Sequence, residues 1–130
     1  MLNEIINEME SHVGEDDFEY IMELCMEKLE EINAGLEAVT PLLQLMERHP
    51  LDDFGMPGAI VHFVERFYGN GYEALLMESV ERKPTMHTVW MLNRIKNGSQ
   101  DKEQYIELMQ NVMSRSDVEQ VIKDSVVKFL

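Results

Sequence analysis

The chain has 130 residues, 45% of them apolar and 28% charged, and its 11 Lys+Arg against 25 Asp+Glu give a formal charge of −14. That length suits one domain, 1–130, and the apolar fraction is high enough to build a core and to lie outside the composition of disordered segments. Nucleic acid and an anionic bilayer are excluded as direct partners, because both require a Lys/Arg surface.

Apolar residues recur at three and four rather than two, and β-branched clusters bounded by hairpin signals are missing, so the sequence predicts an all-α domain. The N-terminus (Met1-Leu2-Asn3-Glu4) has neither a basic start nor a long apolar run, and no stretch approaches eighteen uncharged apolar residues, so a cytoplasmic protein is expected. A first helix over 1–12 carries Leu2, Ile5, Ile6 and Met9, and Gly14 ends it. The second, 16–32, has Phe18, Ile21, Met22, Cys25, Leu29 and Ile32 as its inward stripe. Beyond Gly35 comes a third, 36–48, whose Thr40 and Pro41 suit an N-cap and first helical position. His49–Met56 reads as a loop closed by Pro57. The fourth helix, 57–68, carries Ile60, Val61, Phe63, Val64, Phe67 and Tyr68 and is expected to be buried.

Gly69-Asn70-Gly71 is a tight-turn signal, since both residue types accept positive φ. A fifth helix follows to 82, with Tyr72, Leu75, Leu76 and Val80 inward, until Lys83-Pro84 interrupts it. The sixth, 85–96, contains Met86, Val89, Trp90, Met91, Leu92 and Ile95 and stops at Asn97-Gly98. Asp101 and Gln104 fit the N-cap and N3 positions of a seventh, and Ser116-x-x-Glu119 reads as the capping box of an eighth. Val61–Phe67 aligns with Val89–Ile95 at an offset of 28, both apolar segments with Arg before a final bulky residue. About eight helices in stacked antiparallel hairpins, HEAT-like, account for that repeat, and a compact orthogonal bundle is the alternative.

Catalytic signatures such as G-x-S-x-G, the P-loop, G-x-G-x-x-G and H-E-x-x-H are absent, and Asp53-Phe54-Gly55 matches a kinase triplet by letters alone. His62 and Glu65 have a ligand spacing, but a di-metal bundle needs inward Glu-x-x-His pairs on two helices and two more carboxylates. His12, His49 and His87 have weaker claims, so no metal and no cofactor is expected. Cys25 lies on an apolar stripe and reads as a buried thiol. Met9, Met22, Met86, Met109 and Met113 fall on core stripes, which leaves Met56, beside Phe54, as the methionine expected to touch a partner. Pro84, Trp90 and Arg94 read as structural. The chain is expected not to be an enzyme.

The functional signal is the distribution of charge. Residues 1–53 hold fifteen acids and two bases, whereas 54–130 hold ten and nine, so the halves carry −13 and −1. Glu19, Glu23 and Glu27 form an i, i+4, i+8 row that Asp16 extends, although like charges so spaced cost an isolated helix about 0.2–0.5 kcal/mol per pair. Solubility is already met by a net charge of magnitude about 2–8. One-sided charge in such excess suits rapid capture of a cationic protein.

The stretch from Leu36 to Asn97 carries His49-Pro50-Leu51-Asp52-Asp53-Phe54-Gly55-x-Pro57-Gly58, Val61-His62-Phe63-Val64-Glu65, and Pro84-Thr85-x-x-Thr88-Val89-Trp90-Met91-Leu92-Asn93-Arg94-Ile95. In that half of the chain the sequence resembles small all-helical immunity proteins of bacterial polymorphic-toxin and contact-dependent growth-inhibition systems. The resemblance implies an antidote that binds a cognate toxin domain, often an RNase or DNase. From charge, the expected toxin-binding residues are Asp16, Glu19, Glu23, Glu27, Asp52, Asp53 and Phe54. The alternative is a helical-repeat adaptor or regulator that binds another protein through an apolar groove.

Overall fold

Side chains three and four apart close over a single apolar interior in the computed structural model, which describes every residue except Met56. The elements are α1 (Leu2–Glu10), α2 (Phe18–Glu31), a 3-10 turn (Leu36–Ala38), α3 (Val39–Arg48), α4 (Ala59–Glu65), α5 (Tyr72–Arg82), α6 (Met86–Gly98), α7 (Glu103–Ser114) and α8 (Gln120–Phe129). Among the described residues there is no strand, and no helix is long and apolar enough to cross a membrane. The all-α, eight-helix expectation is therefore correct.

Helices pack on the next but one: α1 on α3, α3 on α5, α5 on α7, α2 on α4 and α6 on α8. Pairs adjacent in sequence, α1–α2, α5–α6, α6–α7 and α7–α8, also pack. This is the neighbour order of stacked hairpins, and close packing gives way between α4 and α6. There the Arg94 guanidinium spans to the Glu65 carboxylate, with Nε–Oε2 2.7 Å and Nη2–Oε1 2.9 Å. The sequence repeat has a counterpart in these contacts. Arg66, just past α4, pairs with Glu30 of α2 as Arg94 of α6 pairs with Glu65 of α4. Each guanidinium also lies over a nearby ring, Arg66 at 5.2 Å from Phe63 and Arg94 at 5.0 Å from Trp90.

Several boundaries differ from the sequence reading. Pro41 is the third residue of α3, where a missing N–H leaves no intrahelical acceptor short, and Thr40 is inside the helix rather than its cap. α4 stops at Glu65 because Arg66, Phe67 and Tyr68 donate to the carbonyls three residues back, tightening the chain into turns. Ser116 caps nothing; α8 begins at Gln120, after Asp117 has paired with Arg115 at 2.8 Å. The capping box of the fold is instead at α6. There Thr85 Oγ1 accepts from Thr88 N–H and Thr88 Oγ1 accepts from Thr85 N–H, both at 3.0 Å.

Met9, Met22, Met109 and Cys25 are buried, and Met86 and Met113 pack partly buried against the core. Met56 lies outside the described residues. Glu47 is the acidic residue of the interior, 9% exposed, accepting from Ser79 Oγ at 2.7 Å and from Arg82 at 2.7 and 3.1 Å.

Candidate binding surface

Helix α2 turns Phe18, Met22, Cys25, Met26 and Leu29 inward, which leaves Glu19, Glu23 and Glu27 on its exposed flank. Asp16 lies in the turn just before the helix and is exposed as well. From Asp16 to Glu27 the row runs for about 17 Å, at about 1.5 Å per residue. Several carboxylates beside it have basic partners within the chain. His12 Nδ1 lies 3.0 Å from Glu15 and 3.5 Å from Asp17, Lys28 pairs with Glu8 at 2.9 Å, and Arg66 pairs with Glu30. Among the described residues, Asp16, Glu19, Glu23 and Glu27 form no ion pair. Tyr20, 64% exposed, stands among them. Its position off the Phe18–Met22–Cys25 stripe was visible in the sequence, yet the sequence reading passed over it.

The row borders a cavity of about 510 Å³. Asp16, Glu19 and Glu23 form one side, and Asp53, Gly55 and Pro57 of the α3–α4 loop form the other, with Phe18 and Met22 beneath and His62 of α4 at the end. A second concavity of about 290 Å³ continues along α2, past Met26, Glu27 and Phe63 to the Glu30–Arg66 pair. The two share Glu23, Ala59 and His62 and so make one trough between α2 and α4. The fold thus brings Asp16, Glu19, Glu23 and Asp53 around one cavity and Glu27 beside its continuation.

Asp52 is not part of this constellation. It faces His49 Nδ1 at 3.5 Å and lines another depression with Leu51, Asp53, Met86 and His87, on the far side of Asp53 from α2. Phe54, also expected to bind the toxin, is placed in the interior. It is 1% exposed, its ring wedged edge-on between Phe18 at 5.5 Å and His87 at 5.4 Å, so the side chain belongs to the core while lining the cavity from beneath.

The loop is held by its own chemistry. Asp53 Oδ1 accepts from Gly55 N–H at 2.7 Å, an Asx turn that Gly55 completes at φ +85°. Gly58 then passes so close to the Phe54 carbonyl that a Cβ would sit 2.2 Å from its oxygen. Phe54 N–H donates to His87 Nε2 at 2.8 Å, which fixes the neutral ring's proton on Nδ1, where no partner lies among the described residues. Burial pushes the His87 imidazole below its ordinary value, against the opposing pull of Asp53.

Among the described residues, His12, Glu15 and Asp17 are the group whose ligand-type atoms lie within 4.8 Å of one another. The sequence ranked His62 above His12 on spacing alone, but the neighbour of His62 by that spacing, Glu65, is engaged elsewhere. Burial opposes ionisation of Glu65, yet hydrogen bonds from Arg94 and Tyr68 keep its carboxyl below the ordinary range. Cys25 is buried, and burial followed by the nearby Glu8 charge raises its thiol pKa, which keeps it from acting as a thiolate. Comparison with protein-family models, with curated proteins and with solved structures returns no match.

Proposed function

We propose that this chain is a non-catalytic immunity-type inhibitor, which binds a cognate basic toxin domain, a nuclease of a bacterial competition system, through the α2 row and the Asp53 loop. The observation that carries this reading is the contrast in pairing. Glu8, Glu15, Asp17 and Glu30 beside the row each lie against a basic side chain, whereas among the described residues Asp16, Glu19, Glu23, Glu27 and the following Glu31 lie against none. A helix built for stability alone would intersperse lysines at these positions. Left unpaired at the edge of a cavity, the charges of the row are free to meet a cationic groove shaped for phosphate, a surface every nuclease must carry. The resemblance of residues 36–97 to immunity proteins points to the same class of partner.

The test is co-expression with the basic C-terminal domain of a large secreted protein encoded next to this gene, followed by stopped-flow measurement of complex formation. The expected result is rescue of growth, with an association rate that falls steeply as salt is raised. Reversal of Glu19, Glu23 and Glu27 to Lys should abolish both rescue and binding. Retention of either by the reversed protein would overturn this placement of the interface.

A further inference from the structure

We infer that Asn70 is a site of spontaneous covalent modification, at which the side-chain amide is lost through attack by the Gly71 backbone nitrogen. The α4–α5 turn carries this inference, and the binding surface plays no part in it. The chain holds two Asn-Gly pairs, Asn70-Gly71 and Asn97-Gly98, and in each the glycine leaves the attacking nitrogen unshielded by a Cβ. The fold treats the two differently. Asn70 and Gly71 are exposed in the turn. The amides on either side of Gly71 are engaged: Gly69 N–H donates to Glu73 at 2.9 Å, and Asn70 and Tyr72 N–H donate to the Phe67 carbonyl at 2.9 and 3.3 Å. Among the described residues Gly71 N–H donates to nothing, and Asn70 Nδ2 is held only by the Tyr68 carbonyl at 3.4 Å. Residue 71 is also bound to be glycine, because its φ is +112° and a Cβ there would meet Leu36 Cδ2 at 3.0 Å. Asn97-Gly98 instead closes α6, so Gly98 N–H belongs to the helical ladder. Lys102 Nζ clamps that end, donating to the Lys96, Asn97 and Ser99 carbonyls at 2.8, 3.3 and 2.9 Å.

In the reaction Gly71 N gives its proton to solvent and bonds to Asn70 Cγ, and the Cγ–Nδ2 bond breaks to release ammonia. Water then opens the cyclic imide at either carbonyl. Cleavage between Cγ and the Gly71 nitrogen leaves aspartate, whereas cleavage between the Asn70 carbonyl carbon and that nitrogen leaves isoaspartate, with the main chain rerouted through Cβ and Cγ. One water is consumed for each ammonia lost, and both products carry a new carboxylate. The isoaspartate path is one methylene longer, which should release Tyr72 N–H from the Phe67 carbonyl and loosen the first turn of α5.

The experiment incubates the intact protein at mildly alkaline pH, with and without urea, and follows its tryptic peptides by chromatography and mass spectrometry. Cleavage after Arg66, Arg82, Lys96 and Lys102 places the two pairs on different peptides. In the folded protein Asn70 is expected to convert at least about tenfold faster than Asn97, the ratio that about 1.4 kcal/mol of opening at the end of α6 supplies. In urea both pairs are released from structure, and the two rates should become equal. Asn70→Gln, whose amide is on a longer stem, should abolish the conversion at position 70; the comparison of the two wild-type sites stands even if that variant does not fold. Equal rates in the folded protein, faster conversion at Asn97, no conversion at Asn70, or an undiminished ratio in urea would each overturn the assignment.

Discussion

His87 is the residue through which the loop beside the cavity can be probed most sharply. Its Nε2 is the acceptor for Phe54 N–H, and both residues are about fully buried, at 1% exposure each. His87→Ala strands that N–H away from water, which costs about 1–3 kcal/mol. It also deletes the edge-on contact with the Phe54 ring, worth about 0.5–1.5 kcal/mol, so a total near 3 kcal/mol follows as an order of magnitude. Protonation attacks the same bond by another route, because an imidazolium Nε2 is a donor facing a donor. It can turn only toward Asp53 Oδ1, 3.6 Å away. Since the folded-state pKa is depressed, the unfolded chain takes up this proton first. The stabilisation is complete above the ordinary value of about 6.5 and is lost as pH falls through the folded value, with a slope of at most about 1.4 kcal/mol per pH unit. Urea midpoints of the wild type and of His87→Gln, which keeps an acceptor but does not titrate, should converge between about pH 7.5 and pH 5.5 if this is correct. Two stability curves that stay parallel over that range, or a His87→Ala protein destabilised by less than about 1 kcal/mol, would refute the reasoning.

Three other substitutions test separate parts of the account. Glu23→Lys replaces two like-charge i,i+4 contacts on α2, with Glu19 and Glu27, by two attractive ones. It should raise thermal stability by about 1 kcal/mol at low salt while weakening capture of a basic partner, an opposition visible by calorimetry and binding on one sample. Glu47→Ala removes the acceptor shared by Ser79 and Arg82 and should lower the unfolding free energy by about 2 kcal/mol, with the m-value unchanged. Gly58→Ala drives a Cβ against the Phe54 carbonyl and should cost about 2 kcal/mol or more. Faster hydrogen exchange at the Phe54 amide would locate the damage.

Helices were legible in this sequence because their causes are local. The stripe Phe18, Met22, Cys25 and Leu29 and the row Glu19, Glu23 and Glu27 both follow from 3.6 residues per turn, and the structure reproduces them. Helix ends were less legible where a tertiary partner competes with a cap. Asp117 pairs with Arg115, and Arg115 also donates to the Glu81 carbonyl at 2.7 Å, a contact that no reading of Ser116-x-x-Glu119 could supply. Asp52-Asp53-Phe54-Gly55 has the composition of an exposed loop. Phe54 is nevertheless interior because its acceptor, His87, is 33 residues away. The trough belongs to the same category. Its α2 side could be read from spacing and charge joined Asp53 to it, but nothing along the chain links α2 to His62, which completes the other side.

The absence of ion pairs at Asp16, Glu19, Glu23 and Glu27 has a consequence for how such a protein can diversify. Side chains that make no hydrogen bond or ion pair among the described residues can be exchanged at little cost, within about 0.5 kcal/mol for ordinary surface positions. Glu30, Glu47 and Glu65, by contrast, are committed to Arg66, Arg82 and Arg94. The domain therefore separates carboxylates tied to the scaffold from carboxylates that can be rewritten. Successive descendants could change the pattern of charge along α2, and with it the partner they recognise, without renegotiating a single contact of the scaffold beneath.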